Sequence, residues 1–391
     1  MTDEKYSTEA TDSLWLYALL SLLATAGFFY VNIMSAIVNG LITGLGFTTA
    51  QAGMVGSANI YGASVGALVA VLIIRRISWK PTLIALLCVL LLIDLASIAI
   101  HTPLLLTAFR AVHGLVGGMA VGVTYSVMAR TRSPDRAFGM LLLVQALLGG
   151  LGVMYLPSLV PVYGTQVLFL TLAGLTSVAL LGTFAIPKID AKADEAKPVV
   201  APLDAGNLRT VALTLLAMFL FQAGNMGLAA FIFELGEHYL LPLDFISSAV
   251  GWATWIGALG AVLVIMIGTR LGRLRPILAA TLITVAATAL FYWSANHALF
   301  FIGNVITAVI WCFVVPYLFG ICSRLDASGR MATMGGFASK LGLASGPLAA
   351  GFLVRAGDYP FLITASIAVL ALSALAGGLA AYRVDRGDAT R

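Results

Sequence analysis

Charge is what this sequence has least of: only 10% of its 391 residues are Asp, Glu, Lys or Arg, where a soluble domain carries about a quarter. With 60% hydrophobic residues and a mean hydropathy of +1.01, an ordinary water-soluble globule is excluded, and the solvent for most of the surface must be lipid. Cysteine is scarce too. Cys88, Cys312 and Cys322 all lie in apolar runs, with no Cys-x-x-Cys or Cys/His spacing, which argues against a metal site and leaves them as packing residues. There is no His-Glu-x-x-His, and His101, His238 and His297 sit at the ends of apolar runs. An intramembrane hydrolase or acyltransferase needs a nucleophile and base, or a metal cluster, meeting at one depth, and no such set is found. A Gly-x-x-x-x-Gly-Lys-Ser/Thr loop is missing as well, so the chain is not expected to bind ATP. No cofactor or metal is expected.

What the chain has instead is a series of apolar stretches, each about 20 residues or longer and so long enough to cross a hydrocarbon core of roughly 30 Å. We read spans at 14–40, 50–74, 80–100, 103–129, 137–160, 164–187, 208–235, 246–268, 275–295, 298–322, 332–354 and 358–382, twelve in all. The first follows an acidic N-terminus (Asp3, Glu4, Glu9, Asp12) and is too long for a signal segment, so it is expected to stay as a helix. A formal charge of +5 invites thoughts of nucleic acid, but the cations follow topology. All of the 22 Lys and Arg except Arg110, Lys340 and Arg355 fall in the N-terminus, the loops after even-numbered spans or the C-terminal tail. That asymmetry puts both termini in the cytoplasm of a bacterial-type inner membrane, and no nucleic-acid partner is expected.

One long polar interruption, residues 188–207, is rich in Lys, Asp, Ala and Pro and divides the spans six and six. It reads as a cytoplasmic linker between bundles at 1–187 and 208–391. Gly66-Ala67 recurs as Gly260-Ala261, Arg76 as Arg270, Arg136 as Arg330 and Met140 as Met334, each pair 194 residues apart and at the same topological point. A duplicated six-helix unit explains this.

In these features the whole chain resembles the major facilitator superfamily. The family carries Gly-x-x-x-Asp-Arg-x-Gly-Arg-Arg/Lys in the loop between the second and third helices of each half. Here the C-terminal copy is Thr269-Arg270-Leu271-Gly272-Arg273, and the N-terminal one is Arg75-Arg76-Ile77-Ser78-Trp79-Lys80. By the resemblance, Arg76, Arg270, Gly272 and Arg273 belong to gating loops, although Arg75 and Thr269 stand where the family has its acid. The fourth span carries Arg110-Ala111-Val112-His113-Gly114, similar to the family's Arg-x-x-Gln-Gly. The glycine and proline signature of the family's antiporters is not matched in the fifth span. A related Gly342-x-x-x-Gly346-Pro347-x-x-x-Gly351 occupies the eleventh. Glycine stripes such as Gly62/Gly66 and Gly114/Gly118/Gly122 bring helix backbones together. The resemblance implies an all-α fold of twelve transmembrane helices in two pseudo-symmetric bundles, working by alternating access.

An ionisable residue in mid-span costs on the order of 3 kcal/mol or more, so the few present carry information. Asp94 and Arg110 lie on antiparallel neighbours, each about 10 Å below the outer surface, and can pair. His113 is one turn from Arg110 on the same helix face, and Lys340 lies roughly 13 Å into its span. Two readings stand for Asp94 and Arg110: a neutralising tie between helices, or, with His113, a proton-coupling cluster. Lys340 has no acid within a turn and reads as functional. Glu234, Glu237 and His238 fall at the outer end of the seventh span and read as solvated rim residues. Asn32, Ser35, Gln222 and Asn225, with Asn304 and Gln145 as additions, suit a substrate cavity, with Arg110 and Lys340 among its ligands. Phe28, Phe29 and Tyr30 are further lining candidates, though lipid or core contact is the commoner fate of such side chains.

The expected function is secondary active transport of a small organic solute, proton-coupled, by a monomer in the lipid bilayer. Arg110, His113 and Lys340 outnumber Asp94 in the membrane and favour an organic anion. A proton-driven exporter of amphipathic drugs is the alternative.

Overall fold

A computed structural model describes residues 13–74, 76–186, 205–268, 270–325, 330–354 and 357–389. Arg75 and Thr269, at the acid positions of the two loops, lie outside the described residues, as do Lys192 of the linker and Arg355. Fifteen α-helices are described: α1 (Leu14–Asn32), α2 (Met34–Leu45), α3 (Thr49–Ile73), α4 (Trp79–Ser97), α5 (Pro103–Met128), α6 (Pro134–Tyr163), α7 (Gln166–Ala185), α8 (Ala205–Ala230), α9 (Ile232–His238), α10 (Leu243–Gly257), α11 (Leu259–Ile267), α12 (Leu274–Ala289), α13 (His297–Leu325), α14 (Arg330–Leu353) and α15 (Tyr359–Ala389). No strand occurs among the described residues. Lipid offers backbone N–H and C=O groups no partner, so a chain this apolar must pair them within each segment. Buried hydroxyls follow the same rule: Ser21, Thr25, Thr124, Thr214 and Thr281 donate to the carbonyl four residues back, at 2.7–2.8 Å.

Among the described residues eleven helices are long and apolar enough to cross a membrane. The eleventh expected span, 332–354, forms α14 with 24 residues, but its small and polar residues keep it out of that set. Several spans are interrupted. The first breaks at Ile33, with φ −113° and ψ 22°, and the seventh breaks at Phe231, with φ −112° and ψ 22°. The first helix of each repeat is thus bent by the same backbone conformation. The eighth span is divided at Ala258 into α10 and α11.

Contacts divide the described residues into two units. The first holds those up to Phe47 and from Ala58 to Ile186; the second holds Thr48–Ser57 and those from Ala205 onward. In the first unit α1 packs on α5, α6 and α7, and α4 packs on α5 and α7. The second repeats the pattern, with α8 on α13, α14 and α15, and α12 on α13 and α15. Each has its own core: Tyr17, Leu20, Leu87 and Val123 lie in the first, and Met218, Phe221, Leu318 and Leu370 in the second.

Candidate functional site

Close approach of α3 and α5 builds the main polar cluster of the first unit. A Cβ on Gly114 would run into the carbonyl oxygen of Asn59, and one on Gly62 into that of Ala111. Without side chains at these positions the two backbones meet, and Asn59 reaches the residue before Gly114. Its Nδ2 lies 2.8 Å from Nδ1 of His113 and donates to the carbonyl of Arg110 at 3.3 Å. An amide nitrogen only donates, so Nδ1 of His113 must accept, and the proton of the neutral ring sits on Nε2. That nitrogen faces Asp94 Oδ1 at 3.2 Å.

Arg110 meets the same oxygen from the other side, with Nη1 2.9 Å from Oδ1. Its Nη2 donates to the carbonyl of Ile93 at 3.3 Å and to the hydroxyl of Ser97. Asp94, Ser97 and Arg110 are wholly buried. The guanidinium carbon lies 5.2 Å from the ring centre of Phe169 and 5.8 Å from that of Tyr30, distances at which an aromatic face attracts a cation. Buried charges survive when paired and hydrogen-bonded, and here one guanidinium matches one carboxylate while His113 stays neutral. Two valences are left over: Asp94 Oδ2 and Arg110 Nε have no hydrogen-bond partner among the described residues.

The second unit has a smaller cluster. Gln222 on α8 donates to the Ser339 hydroxyl on α14 at 2.7 Å, and its Oε1 takes the indole N–H of Trp311 on α13. Lys340, next to Ser339, is half-buried and has no ion-pair partner among the described residues. Asn225 and Asn304 turn back onto their own helices, donating to the carbonyls of Phe221 and Phe300 at 2.8 and 2.9 Å. In the first unit Asn32 is half-buried with Nδ2 lacking a partner among the described residues, and Ser35 is buried. The structure therefore gathers Asp94, Arg110 and His113 into one cluster, and ties Gln222 to Ser339 and Trp311.

Glu234 is not the solvated rim residue expected. It is buried, whereas Glu237 and His238 are exposed. The break at Phe231 starts a new helix whose first residues, Ile232 to Gly236, are buried, and Glu234 occupies its first turn, where helix N–H groups favour a carboxylate.

At the loops, Arg76 and Arg270 are exposed. Gly272 has φ +70°, a conformation that favours glycine, and the loop it turns presents the backbone N–H groups of Arg273 and Leu274 to Asp385 of α15, each 2.9 Å from Oδ2. An acid from the last helix thus holds a loop whose own motif lacks one. In the first unit the corresponding joint has Lys80 donating to the carbonyl of Ile186 at 2.6 Å. Sequence reasoning missed Asn59, Ser97 and Asp385. Asn59 carried a faint signal, since it sits one turn from Gly62 on the glycine stripe; Asp385 carried none, because it lies among tail charges.

Residues 17–339 match the profile of the Major Facilitator Superfamily. No curated protein sequence matches the chain. Among solved structures, the nucleoside transporter NupG superposes with a TM-score of 0.75 at 12% identity, covering 96% of this chain and 99% of its own. A bacterial homolog of the human lysosomal transporter Spinster, inward-facing and unoccupied, gives 0.71 at 12% identity over 94% and 97%. The POT family transporter PepTSo gives 0.70 at 12% over 95% and 97%. Identities this low establish a shared fold and nothing finer.

Proposed function

The chain belongs to the Major Facilitator Superfamily and is a multi-pass membrane transporter rather than an enzyme, and on that premise we propose that it is a proton-coupled secondary transporter of a small organic anion. One observation carries the coupling: a wholly buried carboxylate with one oxygen shared by Arg110 and His113 and the other without a donor among the described residues. Asp94 Oδ2 is the proton-binding atom in this reading. Protonation there leaves the guanidinium charge uncompensated, so the first unit gains a positive charge in a dry setting. A conformational step that exposes the cluster relieves this, which ties proton binding to alternating access. Arg110 has its Nη atoms engaged and is assigned to this site rather than to substrate. The preference for an anion therefore rests on Lys340, half-buried in the second unit with no ion-pair partner among the described residues.

The test is accumulation of substrate by proteoliposomes under an imposed proton gradient, the substrate first identified by thermal-shift screening of organic anions against amphipathic cations. Asp94→Asn should abolish accumulation while downhill exchange continues, and it should lower stability, since an unpaired buried charge costs about 3–5 kcal/mol. The double variant Asp94→Asn, Arg110→Gln should recover stability and stay uncoupled. If it still concentrates substrate with normal pH dependence, the ion pair is a structural tie and the coupling proton binds elsewhere. Stabilisation by cationic amphiphiles and not by anions would favour the drug-export alternative.

We also propose the inner-membrane topology with both termini cytoplasmic, from the cation asymmetry. A cysteine at Lys192 that reacts with an impermeant reagent outside intact cells overturns it.

A further inference from the structure

A cavity of about 220 Å³ lies at one end of the first unit, among the last residue of α2, the turn after α4, the end of α6 and the start of α7. It is small for an organic ligand, whose sites run about 300–1,000 Å³, and it has room for several waters at roughly 30 Å³ each. His101 and Gln166 line it and are exposed. Thr165 lines it too, is 8% exposed, and makes no side-chain cap bond to α7. The innermost lining residue is Phe169, 2% exposed.

The ring of Phe169 that lines this cavity is the same ring that lies 5.2 Å from the guanidinium carbon of Arg110. Ile98 and Ile100 also line the cavity, and Ile98 follows directly on Ser97, which accepts from Arg110. One aromatic side chain thus touches both the cavity and the ion pair. The guanidinium packed on that ring is paired with Asp94, and Asp94 Oδ2 and Arg110 Nε are buried polar atoms without a partner among the described residues. Buried groups of this kind call for a water or a transferable proton.

We infer that the cavity is the aqueous entry for the proton that binds Asp94, and that Phe169 is the barrier between the two. The inference rests on the proton-binding role proposed for Asp94 and adds the route and the residue that closes it. When the ring swings aside, waters connect the cavity to Asp94 Oδ2. One proton passes from a hydronium at the mouth along that chain, the carboxylate becomes a neutral acid, and water is left behind. No other bond changes: Arg110 keeps its charge and His113 keeps the proton on Nε2. Because the ring also attracts the guanidinium, opening the route loosens Arg110 at the moment its counter-ion is neutralised.

A cysteine reporter tests this without knowledge of the substrate. With Cys88, Cys312 and Cys322 replaced by Ala, Ser97→Cys places a thiol at the cluster. Purified protein in detergent is treated with 2-aminoethyl methanethiosulfonate and the labelling rate is followed by mass spectrometry. Since thiol reactions follow access, labelling should be slow with Phe169 in place and about tenfold faster or more with Phe169→Ala. Adding Gln166→Trp, which fills the cavity mouth, should return it to the slow rate. Phe169→Leu removes the flat ring with less lost volume and should give an intermediate rate, so the idea stays testable if the alanine variant folds poorly. A rate that ignores both Phe169 variants, or that Gln166→Trp leaves unchanged, overturns the route. That failure is separate from a failure of the Asp94 proposal, which would show instead as proton-driven accumulation surviving Asp94→Asn.

Discussion

Asn59 on α3 fixes the tautomer of His113 on α5: its Nδ2 lies 2.8 Å from Nδ1 of the imidazole and is turned that way by the carbonyl of Arg110 at 3.3 Å. A second proton on Nδ1 requires the amide to turn over and lose its bond to Arg110. Nitrogen NMR of labelled histidine should therefore find His113 as one neutral tautomer with the proton on Nε2. In Asn59→Leu Nδ1 loses its donor and its nitrogen shift should move, while Asp94 Oδ1 still holds the proton on Nε2, at a cost of about 1–3 kcal/mol for the unsatisfied groups left behind. An unchanged His113 signature would remove Asn59 from the cluster.

Two glycines should respond to alanine with opposite signs. At Gly114 the added methyl meets the Asn59 carbonyl, and overpacking of that kind costs about 1–3 kcal/mol. At Gly174, exposed on α7, nothing lies within 4 Å, so Gly174→Ala should stabilise by about 0.4–1 kcal/mol through the unfolded state. Unfolding midpoints in detergent check both. Equal losses would show that close approach of α3 and α5 is not what Gly114 supplies.

Lys340→Gln should weaken binding of anionic ligands about tenfold, or roughly 1.4 kcal/mol, and leave folding intact, because Lys340 has no ion-pair partner among the described residues that its loss would strand. Thermal-shift titration measures both quantities. Unchanged affinity for every anion tested would give Lys340 another role.

Asp385→Ala should cost about 0.5–2 kcal/mol, the range for loss of a helix cap, and should speed hydrogen exchange at the amides of Arg273 and Leu274, whose N–H groups it holds. Asp385→Asn keeps an acceptor oxygen and should lose less. If exchange at those two amides does not change, another group secures the loop.

The sequence by itself determined the membrane class, the repeat and the family, because each is written in local or periodic signals: apolar stretches long enough to span, cations gathered in alternate loops, and motif fragments 194 residues apart. It also marked Asp94, Arg110 and His113, since a charge in an apolar run stands out whatever it touches. Their partners were another matter. Asn59 is 54 residues from His113, Asp385 is 112 from Arg273, and Phe169 comes from a helix with no charge to draw notice. Glu234 was misjudged because a backbone break at Phe231 turned its helix inward. Only the packing of helices decides which oxygen a donor meets, which tautomer a ring adopts and which ring closes a cavity, since these depend on distances of a few ångströms between residues far apart in the chain.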